Sequence, residues 1–182
     1  MQQTPTLAYI GLGSNLGDSQ QIMQQAIAAL SEYAFICDIQ VSGLYASKPL
    51  GPQDQPDFLN AVVSLKTTLS AFELLAVLQG LEKTAGRVKL RHWGERTLDL
   101  DLLLYGYESI HTAILTVPHP GILQRHFVML PLLDLNPNLC VAGLSLQQQL
   151  GTLTLDDIKK VSEAAWWNAE LTPPVIPQVQ SD

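Results

Sequence analysis

The sequence predicts an α+β fold of the ferredoxin-like type, an antiparallel sheet of four or more strands with helices packed on one face. Segments with alternating apolar residues and segments with helical periodicity follow one another in the order β-α-β-β-α-β, which is typical of this fold. The chain has 182 residues, of which 47% are hydrophobic, and this is enough for one core. We therefore expect a single domain over residues 1–182.

The first predicted strands cover residues 6–12, 36–46 and 58–67. The helix between the first two strands covers about 20–34, because apolar side chains recur there at helical spacing, and Asp18 or Ser19 can cap its start. Residues 48–57 contain three prolines and a glycine and are therefore predicted to form a loop.

The second predicted helix has clear signals at both ends. Ser70 and Glu73 are spaced as in a capping box, and the helix should run to about Thr84 and stop at Gly86. The elements that follow are a loop over 87–96, a strand over 97–104, a short strand over 110–116 and a helix over 123–134. Residues 172–182, which are polar and rich in proline, are predicted to be a poorly ordered tail.

The sequence predicts a cytoplasmic protein that does not enter a membrane. No apolar run reaches the length of about 18 residues that a membrane-spanning helix needs. The N-terminus lacks the basic and apolar regions of a signal peptide. Cys37 and Cys140 stand far apart, in no metal or redox spacing, so we expect both to be reduced.

The charge distribution argues against a protein that binds nucleic acid. The net charge is −7, although four of the ten basic residues fall between positions 87 and 96. This segment carries +3, and the rest of the chain therefore carries −10. So acidic a surface disfavours general binding to a phosphate backbone. The positive charge is concentrated directly before an acidic strand.

Two aspartates lie within a leucine-rich strand, RTLDLDLLLYG, over residues 96–106. Because side chains alternate along a strand, Asp99 and Asp101 project from one face and the leucines beside them from the other. Like charges so close disfavour each other's ionisation unless a cation intervenes, and a divalent ion with phosphate ligands would meet this need. The alternatives are that both aspartates face solvent or that they pair with Arg96.

Three further motifs surround this strand. The basic segment GRVKLRHWGER, residues 86–96, suits a polyphosphate or is a solvated loop, and its Trp93 covers either a planar ligand or its own loop. The turn GLGSNLGD fits neither a dinucleotide motif nor a P-loop, and we interpret it as a tight strand-to-helix turn with glycine at positive φ. His119, between two prolines, either binds phosphate or is structural.

Taken together, the chain over about residues 6–140 resembles the 6-hydroxymethyl-7,8-dihydropterin pyrophosphokinase family. The segments that carry the resemblance are YIGLGSNLGD, LGPQDQPDFLNAVV, GRVKLRHWGERTLDLDLLLYG and LTVPHPGILQRHFVMLPL. The resemblance implies an enzyme of tetrahydrofolate biosynthesis that transfers pyrophosphate from ATP to the hydroxymethyl group of the pterin and releases AMP. It also implies two Mg²⁺ ions, held by Asp99 and Asp101. Together with the charge and hydropathy of the chain, the hypothesis is a monomer that binds neither nucleic acid nor membranes.

By motif position, the resemblance implies three groups of site residues. The catalytic group is Asp99, Asp101, Arg96, Arg87 and Lys89. The ATP-binding group is Gln79, Glu82, Arg87, Lys89, Arg96, Thr116, His119 and Arg125. The pterin-binding group is Ser47, Leu50, Phe58, Asn60, Trp93 and Phe127, with the two phenylalanines on either side of the ring. A loop over about 87–95 would close over the substrates.

The chain departs from the family pattern at four positions, and two other functions compete with the enzyme. These departures concern nucleotide affinity and loop closure. The residues are His92, Glu95, Lys48 and Ile114. The altered loop favours a binding or regulatory module that keeps the pocket without turnover. A metal-dependent enzyme acting on nucleic acid is the second alternative, because such folds also carry paired aspartates, and the negative charge opposes it.

Overall fold

An antiparallel sheet of six strands is the centre of the structure, a computed structural model that describes residues 4–86 and 94–168. Of the predicted loop over 87–96, only residues 94–96 are among the described residues. The predicted tail over 172–182 lies wholly outside them. The α+β class and the antiparallel sheet predicted from the sequence are confirmed.

The elements follow the predicted order, except that the second predicted strand is two strands and that short strands are added toward the C-terminus. The strands are β1 (Thr6–Ser14), β2 (Ile36–Val41), β3 (Leu44–Ser47), β4 (Phe58–Thr67), β5 (Asp99–Tyr105), β6 (Ile110–His111), β7 (Thr116–Val117), β8 (Cys140–Val141), β9 (Leu144–Ser145) and β10 (Ile158–Ser162). The helices are α1 (Ser19–Ser31), α2 (Ala71–Thr84), α3 (His126–Leu135) and α4 (Leu146–Leu150). The main sheet has the order β10-β3-β4-β1-β5, and β2 also pairs with β4.

Apolar side chains cover both faces of this sheet. Ala8 and Ile10 of β1 belong to a core that includes α1 and α2, whereas Tyr9, Val62 and Leu103 pack with α3 and α4 on the other face. The prediction that the helices pack on one face is therefore wrong for α3. Strands β4 and β5 carry apolar residues on both sides, so each face of the sheet needs a cover.

The helix ends follow the capping chemistry of the sequence. The side chain of Asp18 accepts a hydrogen bond from the Gln21 backbone N–H at 3.1 Å. Ser70 and Glu73 form the predicted capping box, with the Ser70 N–H donating to Glu73 Oε2 at 2.8 Å. Helix α2 ends at Thr84, and Gly86 follows at φ +75°, as predicted.

The single strand predicted over 36–46 is wrong, because the chain is interrupted between β2 and β3. Both strands pair with β4, but Ser42 and Gly43 lie between them. The Ser42 hydroxyl accepts a hydrogen bond from the Val62 N–H at 2.9 Å and so replaces a ladder bond. A side chain at Gly43 would collide with Lys160, so the interruption also lets β10 approach β3.

Other predicted boundaries also need correction. Strand β1 extends to Ser14, two residues further than predicted, and α1 ends at Ser31, about three residues earlier. Strand β5 begins at Asp99, two residues later than predicted. The strand predicted over 110–116 is a hairpin, β6–β7, whose turn contains a hydrogen bond from the Thr112 N–H to the Leu115 carbonyl at 2.9 Å. Helix α3 begins only at His126 but continues through Pro131 to Leu135, because its buried residues pack against the sheet and outweigh the helix-breaking effect of proline.

The described residues also bear on the compartment predicted from the sequence. Cys37 and Cys140 are both exposed, and neither forms a disulfide. Over residues 4–86 and 94–168, no helix has the length and apolar character that crossing a membrane requires.

Candidate active site

A cavity of about 300 Å³ lies on the face of the sheet that α3 covers. Its floor is built by adjacent strands, since Gly11 of β1 pairs with Asp101 of β5, and Gly13 pairs with both Asp99 and Asn60. The leucines that alternate with the aspartates belong to the core on the other face. The alternation read from the sequence therefore brings both carboxylates to one cavity floor.

Glycine at position 13 keeps the middle of this floor open. A Cβ added there would lie 3.7 Å from Asn60 Oδ1 and 4.0 Å from Asp99 Cβ, so a side chain would fit only by occupying the space between them. The sequence predicted glycine at positive φ in this turn, and Gly17 has a φ of +77°. Gly11 and Gly13 lie in the extended strand β1 and do not have positive φ. The first two glycines provide space and the third provides the turn.

The two carboxylates have different partners. Asp99 Oδ2 accepts a hydrogen bond from Arg96 Nη1 at 2.8 Å, in an ion pair whose side chains are 31% (Arg96) and 23% (Asp99) exposed. Asp101 has no such close pair among the described residues. Burial and then the charge of Asp99 raise the pKa of Asp101, against the opposing charges of His119, Arg125 and Arg96. The cavity floor thus carries two carboxylates among cationic side chains, and burial makes Asp101 the harder of the two to ionise.

His119 lies beside this charge and is oriented by the backbone. Its Nδ1 accepts a hydrogen bond from the Gly121 N–H at 3.0 Å, so Nε2 carries the hydrogen in the neutral ring. Burial lowers the pKa of His119, and the charge of Asp101 opposes this shift. A neutral His119 can donate one hydrogen bond from Nε2 to an anionic ligand.

The carboxylates fit a hard divalent cation only if a substrate supplies further ligands. In the described part of the chain, no group of three or more histidine, cysteine, aspartate and glutamate side chains is arranged to hold a metal ion. Asp99 and Asp101 supply carboxylate oxygens to the cavity, and burial disfavours the charged form of Asp101. Mg²⁺ is commonly held by one or two carboxylates together with phosphate oxygens and water, so the pair could hold Mg²⁺ when a polyphosphate is bound.

Aromatic and polar side chains form the other end of the cavity. Phe58 and Leu50 line it from β4 and the preceding loop, and Phe127 lines it from α3. The Asn60 side chain is buried, and its Nδ2 donates to Ser47 Oγ at 2.8 Å, which fixes the orientation of the carboxamide. This end can hold a flat, apolar ring and offer hydrogen bonds to its edge.

Asn15, which the sequence analysis did not single out, connects the two ends. Its Nδ2 donates to Gln55 Oε1 at 3.1 Å and to the Pro56 carbonyl at 2.9 Å, and its Oδ1 accepts from the Arg96 N–H at 2.8 Å. The Asn15 N–H also donates to the Arg96 carbonyl at 3.0 Å. The only sequence signal for this role is an asparagine directly after a strand. Its burial and its partners, which lie far away along the chain, appear only in the structure.

The structure brings most of the predicted site residues together. Those that line the cavity are Asp99, Asp101, Arg96, Arg125, Ser47, Leu50, Phe58, Asn60 and Phe127. Gln79 is exposed on α2, and the buried Glu82 accepts a hydrogen bond from the Leu100 N–H at 2.8 Å. Thr116 begins β7, and the His119 N–H donates to the Leu103 carbonyl at 2.9 Å. Arg87, Lys89, Trp93 and His92 lie outside the described residues, although Gly94 lines the cavity.

Two of the departures from the family pattern have visible surroundings. Lys48 Nζ lies 3.0 Å from both carboxylate oxygens of Asp57, so this ion pair joins the two ends of the loop over 48–57. Ile114 is 71% exposed at the turn of the β6–β7 hairpin.

The fold and cleft define a class of protein, an α+β enzyme scaffold with a charged end and an aromatic end in one cavity. Residues 9–137 match the model of the family 7,8-dihydro-6-hydroxymethylpterin-pyrophosphokinase (HPPK), and the chain belongs to this family. The resemblance inferred from four sequence segments is thereby confirmed.

Relatives and solved structures agree with this assignment. The chain is 49% identical over 132 residues to a 2-amino-4-hydroxy-6-hydroxymethyldihydropteridine pyrophosphokinase of Haemophilus influenzae, covering 72% of this chain and 82% of that protein. It is 41% identical over 157 residues to the enzyme of the same name from Pseudomonas aeruginosa, covering 86% and 97%. The structure of Plasmodium falciparum HPPK-DHPS superimposes with a TM-score of 0.62 at 15% identity, over 81% of this chain and 43% of that one, and shows the likeness of fold.

Proposed function

We propose that this protein transfers pyrophosphate from ATP to the hydroxymethyl group of 6-hydroxymethyl-7,8-dihydropterin, releasing AMP, in tetrahydrofolate biosynthesis. The observation that carries the proposal is one cavity with two carboxylates and arginines at one end and a ring-sized aromatic pocket at the other. The family match over residues 9–137 includes both ends. The two ends suit the two substrates, a polyphosphate and a flat heterocycle.

At the charged end of the cavity, Asp99, Asp101 and the cationic side chains around them would hold the phosphates of ATP and the cation bound to them. Bound there as the complex with ATP, Mg²⁺ would neutralise phosphate charge and lower the pKa of the attacking hydroxyl. Arg96 and Arg125 line the cavity and would donate hydrogen bonds to phosphate oxygens, and neutral His119 would add one more. Arg87 and Lys89 belong to the same proposal by motif position.

The pterin end would orient the hydroxymethyl group toward the phosphates. Phe58 and Phe127 would hold the ring between them, and the Asn60 carboxamide, fixed by Ser47, would bind its edge. Because Gly13 leaves the floor open between Asn60 and Asp99, the ring and the phosphates can approach each other there. Phosphoryl transfer depends mainly on alignment and charge stabilisation, so this arrangement is suited to it.

We also propose that the protein acts in the cytoplasm and as a monomer. The two exposed free cysteines are compatible with a reducing compartment. Light scattering of the purified protein at several concentrations would test the monomer, because a mass that rises with concentration would contradict it.

The decisive experiment separates adenine nucleotides after incubation with MgATP and 6-hydroxymethyl-7,8-dihydropterin. We expect AMP that forms only when the pterin is present, without ADP. Asp101→Ala should abolish AMP formation, whereas the exposed Asp156→Ala should not change it. ATP binding without any pterin-dependent AMP in the unmodified protein would contradict the enzyme and favour a binding module.

A further inference from the structure

A histidine and an aspartate that no predicted site includes form a contact behind the aromatic wall of the cavity. His126, the first residue of α3, is buried, and its Nε2 lies 2.8 Å from Asp157 Oδ1. His126 directly precedes Phe127, and the two rings meet edge to face, with centroids 5.7 Å apart and planes at 71°. The position of Phe127, which lines the cavity, is therefore coupled to the orientation of the His126 ring.

The contact with Asp157 is the main polar restraint on that ring. A carboxylate only accepts hydrogen bonds, so His126 Nε2 carries the hydrogen. On the other side of the ring, Nδ1 is buried and has no hydrogen-bond partner within the described residues. Because no second hydrogen bond competes, the ring is held by one bond to Asp157 and by packing.

Asp157 is also attached to the opposite wall of the cavity. Its carbonyl accepts a hydrogen bond from the Lys48 N–H at 3.0 Å, and the next residue, Ile158, pairs with Ser47 in the β10–β3 ladder. Ser47 and Lys48 both line the cavity, and Ser47 orients Asn60. One residue thus contacts the wall that carries Phe127 through its side chain and the wall that carries Ser47 through its backbone.

Helix α3 has a second, independent attachment at its far end. Asp134 Oδ2 accepts hydrogen bonds from the Gly43 N–H at 3.0 Å and from the Tyr45 hydroxyl at 2.9 Å, and Lys160 Nζ lies 3.4 Å from the same carboxylate. Loss of the contact between His126 and Asp157 therefore frees only the end of α3 that carries Phe127, while the rest of the helix stays docked on the sheet.

We propose that His126 and Asp157 are positioning residues that set the place of Phe127 relative to the wall formed by Ser47 and Lys48, and thereby the affinity for the flat heterocycle. The inference rests on the proposed function, in which this end of the cavity holds the pterin. Neither residue touches the phosphate end. Arg125, which directly precedes His126, lines that end, so the proposal requires that the pair act on Phe127 and leave Arg125 in place. The strand β10 and the residue before it then serve the substrate pocket and not only the sheet.

The test compares steady-state constants for the pterin and for ATP in single variants. In Asp157→Ala the backbone bond to Lys48 remains and only the carboxylate is lost. The Asp157 side chain is 42% exposed, so water weakens its bond to His126, and we expect the KM for the pterin to rise about three- to tenfold. The KM for ATP and kcat should stay within about twofold. Asp157→Asn keeps an oxygen acceptor and should stay near the wild-type KM, and the neighbouring Asp156→Ala is the matched control.

His126→Phe separates positioning from stability. The substitution replaces a buried ring that has an unpaired nitrogen with an apolar ring of similar size, so the Tm should not fall. The hydrogen bond to Asp157 is lost, so the KM for the pterin should rise about as much as in Asp157→Ala. The double variant should be no worse than either single variant, because both remove the same contact.

The outcomes distinguish this inference from the function on which it rests. Absence of pterin-dependent AMP in the wild-type protein would contradict the proposed function. Wild-type turnover with an unchanged pterin KM in both Asp157→Ala and His126→Phe would overturn the positioning role alone. Equal increases in the KM for ATP and for the pterin would also overturn it, because they would indicate a general loss of structure.

Discussion

Asp101 is expected to lower the stability of the free protein, so that its removal stabilises the fold while abolishing activity. The side chain lies at the cavity floor with Asp99 two residues away on the same face of β5. Burial and the charge of Asp99 raise its pKa, so the ionised form is unfavourable in the folded state. Asp101→Asn keeps the shape of the side chain and removes the charge.

The magnitude follows from the spacing of the two charges. Residues i and i+2 of a strand lie about 7 Å apart, and two unit charges at that distance repel by about 2 kcal/mol at an effective dielectric constant of about 20. Burial of the carboxylate adds to this repulsion, and the charges of His119, Arg125 and Arg96 offset part of it. We therefore expect Asp101→Asn to raise the free energy of unfolding by about 1–2 kcal/mol and the Tm by about 2–8 °C.

The gain should depend on pH with a definite sign. A carboxyl whose pKa is higher in the folded than in the unfolded chain binds its proton more tightly when folded. The folded state is penalised only where the group is ionised, so the penalty is absent below the ordinary aspartate pKa of 3.8 and grows as pH rises through the raised pKa of Asp101. The advantage of Asp101→Asn should disappear toward about pH 4 and should grow with pH until Asp101 is ionised in the folded state.

Thermal unfolding in EDTA measures this effect without any divalent cation. Asp99→Asn is the matched control: it relieves the same repulsion but also breaks the ion pair with Arg96 at 2.8 Å, so it should give no gain or a small loss of Tm. Both variants should be inactive. A Tm of Asp101→Asn equal to or below that of the wild type near about pH 8 would refute the electrostatic reasoning.

Two further predictions concern residues that hold the cavity and a helix in place. Asn15→Ala should lower the free energy of unfolding by about 1–3 kcal/mol and also reduce kcat, because a buried side chain loses its hydrogen bonds to Gln55, Pro56 and Arg96. Thermal unfolding measures the stability and initial rates measure kcat. A loss of stability with full kcat would limit Asn15 to a structural role. Ser70→Ala should lower the Tm by about 2–4 °C through loss of the α2 cap, with unchanged rates, and an unaltered Tm would contradict a stabilising cap.

Features that depend on neighbouring residues were predicted well from the sequence. Strand β4 has the predicted bounds, Phe58–Thr67, and α2 begins after the predicted capping box and ends at Thr84. These features follow from periodicity and capping, which are local. The projection of Asp99 and Asp101 to one face follows in the same way from the alternation of a strand.

Features that depend on contacts between distant segments were missed or wrong. The break between β2 and β3 lies at Ser42 and Gly43, where a side chain on Gly43 would collide with Lys160 of β10, more than 100 residues later. Helix α3 lies on the second face because both faces of β4 and β5 are apolar, a pattern that does not tell which helix covers which face. Helix α3 runs through Pro131 as predicted, but it starts only at His126, three residues later than the predicted start.

By itself, the sequence determined the order of the elements, the acidic strand and, through four segments, the family. Only the tertiary structure decided that Asn15 joins Gln55 to Arg96 and that His126 meets Asp157 behind the aromatic wall. Periodicity, caps and motifs are properties of residues close in the chain. A hydrogen bond between residues 31 or 81 positions apart forms only when the sheet and helices have brought its two ends together.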